Sequence, residues 1–217
     1  MKKYALSLIL IISLLISACT GENQSVYTKY SYEFLGAFDT VIQFMGYTKG
    51  PDEFEIMVEL GQGRFMELNK LYDIYNDYDG INNLKSINDN AGIKPVEVKQ
   101  EIIDLIMFSK EWYNKTNGKC NIALGSVLSI WHDYRDAGIE NPEEADIPPL
   151  EMLQEAMKFT DIDKVLVDDD NNTVYLEDKN MRLDVGAVAK GFATEIETNE
   201  LMDEGYSSFI IISRGNV

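Results

Sequence analysis

Leu183-Asp184-Val185-Gly186-Ala187-Val188-Ala189-Lys190-Gly191 is the stretch on which the reading of this chain turns. Met181 to Val185 reads as a strand, Gly186 and its small neighbours as a turn, and Val188, Phe192, Ile196 and Leu201 recur at helical spacing until Gly205. The segment therefore sets a carboxylate at a strand end and a lysine early in a helix, with little side-chain bulk between them. Free amides at a helix N-terminus attract anions, and small residues let a ligand approach the backbone. The same residues would also let Asp184 cap the helix while the small side chains permit helix-on-sheet packing. Local chemistry leaves both open. No G-x-G-x-x-G occurs, and the G-K-S/T ending of a phosphate-binding loop is missing, so those two nucleotide sites are set aside.

Working outward, Ser208 to Ile212 is a continuous apolar run and predicts a buried strand, after which the chain reads Arg214-Gly215-Asn216-Val217. A strand and glycine turn normally lead into another element, so further C-terminal strands are expected beyond this sequence. Upstream, Lys164 to Val167 and Thr173 to Glu177 predict a hairpin closed by Asp168 to Asn172, and Leu150 to Thr160 a short helix. Gly125 to Trp131 is a compact apolar run, and Arg135 to Pro149, with Gly138 and three prolines, predicts a loop. Val98, Ile102, Leu105, Ile106, Ser109, Trp112 and Tyr113 mark a helical face that Gly118 would end. Asn76 to Gly92 is rich in Asn, Asp and Gly and reads as a surface loop. A long amphipathic helix is predicted from Asp52 to Tyr75, and residues 30–48 predict a strand pair broken near Gly36. Together these give an α+β fold: a mixed, largely antiparallel sheet flanked by helices.

The chain has 217 residues, 45% of them hydrophobic, enough for one globular domain. Its 37 acidic against 19 basic residues give a net charge of −18, which repels phosphate backbones and argues against nucleic acid as a partner.

Met1-Lys2-Lys3, the apolar run Tyr4 to Ile16 and the small residues Ser17 and Ala18 form a secretion signal, too short to span a membrane permanently. Ile16-Ser17-Ala18-Cys19 is similar to the lipobox of bacterial lipoproteins, which implies that residues 1–18 are removed and Cys19 is lipidated. The expected organisation is a leader at 1–18, a lipidated cysteine and tether at 19–29, and a folded domain at 30–217, held by lipid on the extracytoplasmic face of the cell membrane. Losing Lys2 and Lys3 takes the charge from −18 to −20. Cys120 is the other cysteine and is expected to be a free thiol.

Four segments carry a resemblance: GAFDTVIQF at 36–44, YDIYNDYDGINNLKSIN at 72–88, GKCNIALGSVLSIWHDYR at 118–135 and LDVGAVAKGFA at 183–193. In this order they resemble the FAD:protein FMN transferases, the ApbE family. The resemblance implies cleavage of the FAD pyrophosphate with Mg²⁺, attachment of FMN to a Thr or Ser hydroxyl of an acceptor redox protein, and release of AMP. It further implies that Asp184 contacts flavin and that the backbone carbonyl of Ala187 ligates the metal. By the same motifs Tyr75 resembles the aromatic that meets the isoalloxazine ring, Lys119, Cys120 and Asn121 resemble a pocket-lining trio, and Phe38 stands where methionine is usual. Asn121 replaces a usual aspartate, and Ile122-Ala123 a frequent Pro-Thr. Trp131 is expected in the core and His132 at a surface; neither is a site candidate.

Electrostatics gives a separate reason to expect a cation, because an anionic pyrophosphate meets a protein near −20. Lys190 and Mg²⁺ would compensate. The resemblance implies a second metal-binding segment with Asp and Thr ligands beyond the last residue here, so the chain is expected to be truncated. The competing readings are a tethered FAD-binding protein, a FAD pyrophosphatase forming FMN and AMP without an acceptor, and an inactive fragment.

Overall fold

Tyr30, Tyr32 and Phe34 alternate with Ser31 and Glu33, the period that puts one set of side chains on one sheet face. They lie on β1 (Thr28–Ala37), which runs antiparallel to β2 (Thr40–Thr48). The structure is a computed structural model that describes residues 26–214; Cys19, the leader and most of the tether lie outside the described residues. The hairpin turns at Phe38 and Asp39, both at positive φ (54° and 48°), as a two-residue hairpin loop with the right twist requires. The expected break at Gly36 is instead a bulge. Gly36 sits at φ 123° inside the register shift between Phe34 and Ala37, two residues ahead of the turn.

α1 (Pro51–Tyr72) starts with proline at its first position and Asp52 and Glu53 in its first turn, where the helix dipole favours negative charge. It buries Phe54, Met57, Val58, Phe65, Leu68 and Leu71 against the inner face of β1 and β2. Gly61 makes the close approach possible, since a Cβ there would lie 2.5 Å from the Phe44 ring. The helix stops at Tyr72, so Tyr75 belongs to the following loop and not to the helix as expected.

The segment read as a surface loop contains α2 (Leu84–Asp89). Asn83 and Ser86 form a reciprocal capping box, and Leu84 and Ile87 are buried. Composition misleads here because the asparagines serve as cap and buried bridge. β3 (Val96–Glu97) leads into α3 (Gln100–Lys115), which ends as predicted in a left-handed pair, Asn117 and Gly118, with the Gly118 amide donating to the Tyr113 carbonyl at 2.8 Å. After a short 3₁₀ turn at Ile122–Leu124, α4 (Gly125–Glu140) covers the first part of the predicted 135–149 loop. α5 (Leu150–Ala156) follows, then the predicted hairpin of β4 (Val165–Asp168) and β5 (Thr173–Leu176).

Met181 to Val185 is not a strand. It is extended, but its backbone is satisfied by Asn88, whose side chain accepts from the Leu183 amide at 2.7 Å and donates to the Leu183 carbonyl at 3.0 Å, while the Asp184 amide donates to the Ile122 carbonyl at 2.8 Å. An asparagine thus replaces a neighbouring strand. α6 (Ala189–Asp203) packs on α1, and β6 (Phe209–Ser213) pairs with the free side of β2. β6 is not buried as its apolar run predicted. It is the outer strand of the order β1-β2-β6, and Ile210 is 54% exposed because α1 and α6 cover one face only. The second sheet has the order β3-β5-β4, and every strand pairing among the described residues is antiparallel. The architecture is α+β, helices on antiparallel sheets.

Candidate functional site

Three pieces of chain meet at one cleft of about 360 Å³: the Phe38-Asp39 turn, the C-terminal end of α1 with the loop Asp73 to Tyr78, and the entry to α6 from Asp184 to Lys190. Four residues singled out from the sequence, Phe38, Tyr75, Asp184 and Lys190, line it together. Phe38 is held in its uncommon left-handed conformation by a bond from its amide to Asn69 Oδ1 at 2.8 Å.

Asp73 organises the loop. Its carboxylate accepts from the amides of Tyr75 (2.6 Å) and Asn76 (3.1 Å), from Asn76 Nδ2 (2.8 Å) and from the Tyr78 hydroxyl (2.7 Å). Partial burial opposes its ionisation, but the donors of Asn76, Tyr75 and Tyr78 outweigh burial and lower its pKa. In return the bond to Asp73, with some burial, pushes the Tyr78 phenol up to about 12.

Tyr75 is 59% exposed, yet its hydroxyl lies 3.1 Å from Nδ1 of His132 and the two rings sit 5.9 Å apart, tilted at 48°. The water its surroundings displace, and then the charge of Asp184, raise its phenol pKa. The Asp184 side chain is 11% exposed; Oδ1 accepts from the Gly186 amide at 2.9 Å, and Oδ2 faces His132 Nε2 at 3.8 Å. Asp184 therefore closes the turn with one oxygen but does not cap α6, whose N-cap is Val188 without a side-chain bond, and its other oxygen is free of backbone. Lys190 is the second residue of α6, and its ammonium donates to the Arg214 carbonyl at 2.8 Å.

Lys119, Cys120 and Asn121 do not line this cleft. Asn121 is committed elsewhere: Oδ1 caps the 3₁₀ turn through the Ala123 amide (2.9 Å) and Nδ2 donates to the Thr160 carbonyl (2.9 Å), while the Cys120 amide donates to Thr116 Oγ1 (3.0 Å). Their segment reaches the site through the Ile122 carbonyl that holds Asp184. Cys120 is a free thiol. Ala187 is exposed in the turn before α6. Among the described residues no three His, Cys, Asp or Glu side chains gather to hold a metal ion.

Sequence reasoning passed over Asn69, Asp73 and His132. The last had a signal: Gly125, Ser129, His132 and Asp136 fall on one face of α4 and line a second cavity of about 380 Å³, which shares Ile74, Tyr75 and Asp184 with the first. An exposed aromatic beside a fixed carboxylate, a lysine and a helix entry can stack a planar ring and hold an anionic group next to it.

Helices on antiparallel sheets define an α+β domain with a cleft at a helix entry. The chain belongs to the ApbE family, whose family model matches residues 38–217. It is 28% identical over 147 residues to the FAD:protein FMN transferase of Klebsiella pneumoniae (strain 342), a match covering 66% of this chain and 44% of that protein. Against the FAD:protein FMN transferase of Treponema pallidum (strain Nichols) it is 28% identical over 139 residues, covering 62% and 36%. The crystal structure of the ApbE protein of Thermotoga maritima superposes with a TM-score of 0.71 at 22% identity, over 87% of this chain and 57% of that one, and shares the fold. The chain thus spans less than half the length of these two sequence relatives.

Proposed function

We propose that this chain binds FAD in the cleft between the Phe38-Asp39 turn and the start of α6, and serves transfer of FMN from FAD to a Thr or Ser hydroxyl of an acceptor protein. The observation that carries this reading is the convergence of Phe38, Tyr75, Asp184 and Lys190, distant in sequence, on one cleft. The relatives named as FAD:protein FMN transferases support it. Tyr75 offers a ring face to the isoalloxazine, Lys190 offers charge to the pyrophosphate, and Asp184 fixes the turn that leads into α6.

In the proposed step the acceptor oxygen bonds to the FMN phosphorus as the bond from that phosphorus to the AMP oxygen breaks. The hydroxyl proton ends on water or on the departing AMP phosphate. The protein's part is positioning, which such a loose transition state mainly demands. A bound Mg²⁺ would neutralise pyrophosphate charge, but among the described residues no three His, Cys, Asp or Glu side chains gather to hold it. That shortage favours a second reading, FAD binding without transfer. A lipid anchor at Cys19, placing the domain outside the cytoplasmic membrane, is also proposed and rests on the sequence alone.

The test incubates the full chain with FAD, Mg²⁺ and a candidate acceptor protein. Protein-bound FMN matched by AMP supports transfer. AMP with free FMN makes the protein a pyrophosphatase, bound FAD without AMP makes it a binding protein, and absence of FAD binding contradicts the proposal.

A further inference from the structure

We propose that His132 is a positioning residue, which fixes the ring of Tyr75 by accepting its hydroxyl hydrogen while facing Asp184 with its other nitrogen. The inference rests on the proposed role of Tyr75 as the surface for a planar ligand. Tyr75 lies in a loop and is the most exposed aromatic of the cleft, so no helix packing sets its ring. Polar contacts hold it instead: its amide donates to Asp73 at 2.6 Å, its hydroxyl meets His132 Nδ1 at 3.1 Å, and the Arg135 guanidinium, also on α4, bonds its side chain. His132 is carried by α4, a 16-residue helix, and is therefore the rigid side of the pair.

The distance alone fits either hydrogen-bond direction, and the proposed one is chosen by the carboxylate on the far side of the ring. A phenol O–H pointing at Nδ1 needs that nitrogen bare, which leaves the proton of a neutral imidazole on Nε2. Nε2 faces Asp184 Oδ2 at 3.8 Å, too far for a direct hydrogen bond but right for attraction, and Oδ1 of the same carboxylate holds the Gly186 amide. The line Tyr75, His132, Asp184 thus connects the stacking surface to the turn that opens α6. The other charged groups lining that side are Asp133 and Asp136 on α4 and Arg182 before Asp184. Arg135, also on α4, hydrogen-bonds the Tyr75 side chain as well, but its Nε is committed to Asp136 at 2.9 Å.

The chain has a single histidine, so its imidazole can be observed without assignment. In the ligand-free full chain, ¹⁵N chemical shifts of that ring should show a bare Nδ1 and a protonated Nε2 at neutral to slightly basic pH. Tyr75→Phe should move both nitrogens toward the mixture of an unpartnered imidazole. Unchanged nitrogen shifts in Tyr75→Phe overturn the inference, whether or not flavin binds. For FAD, His132→Gln should weaken binding about fivefold to tenfold, the range expected for one lost hydrogen bond, and should add nothing further in a Tyr75→Phe background. Effects that multiply instead would show His132 acting independently of Tyr75 and overturn it as well. A wild-type chain that binds no FAD sinks the functional reading alone, because the nitrogen shifts still decide the tie between the two rings.

Discussion

Glu197 is a carboxyl set inside the protein, 1% exposed between α1 and α6, and its Oε2 has no hydrogen-bond partner. Burial, and then the charge of Glu200, push its pKa up to about 7, while Arg64, bridged to Glu67, Glu101 and Glu200, pulls the other way. Because the folded value lies above the unfolded one, its stabilising contribution is full in acid and is lost as pH rises from about 4.5 through 7. Glu67 and Asp73 are lowered instead, so their contributions fade only in more acidic solution. The melting temperature should therefore fall between pH 5 and pH 8, and Glu197→Gln should flatten that fall; an unchanged slope would contradict the assignment. At this scale the site was half legible. Phe38, Tyr75, Asp184 and Lys190 stood in motifs, and the cleft unites them. Asp73 and His132 lie in the quoted segments 72–88 and 118–135 as well but carried no role there, because His132 meets a ring 57 residues away and the bonds of Asp73 are set by the fold of its loop.

Long elements with strong periodicity were read well, since α1 and α3 each bury a stripe that the sequence repeats every three to four residues; α6 is also a helix, but it buries Ala189, Ala193, Glu197 and Leu201, with Val188, Phe192 and Ile196 only half-buried beside them. Two of the misreadings share one physical cause: α2 and the run before α6 are held by asparagine side chains, whose bonds to distant backbone no local pattern reveals. Asn88 is the sharper case, buried and bonded to both backbone groups of Leu183. Asn88→Ala should cost about 2–4 kcal/mol, measured by urea unfolding, because it leaves a buried amide and carbonyl unmet. A change under about 0.5 kcal/mol would show that water replaces the side chain at little cost. Gly125 tests the same run from the other side. A Cβ there would lie 2.5 Å from the Arg182 carbonyl oxygen, which is backbone and cannot swing away. Gly125→Ala should therefore destabilise the fold by about 1–3 kcal/mol and displace Asp184, seen as weakened FAD binding. Normal stability in that variant would mean the α4 contact is looser than described.

Over the whole molecule, the proposed function asks a chain of net charge −18 to hold an anionic ligand, at a cleft where Lys190 and a helix entry stand among Asp39, Asp73 and Asp184. The α+β class followed from alternating and helical periods, but the division into two small antiparallel sheets did not, since pairing order depends on contacts between distant strands. The family match covers residues 38–217 and the cleft falls within it, so fold and candidate site describe one object. The most direct test of that object is a titration of the full chain with FAD, followed by flavin fluorescence with and without Mg²⁺, for the wild type and for Asp184→Ala. Saturable binding by the wild type, weakened at least about tenfold when the Asp184 carboxylate and its bond to the Gly186 amide are removed, is the predicted result. Equal binding by both proteins, or none by a folded wild type, would contradict the account.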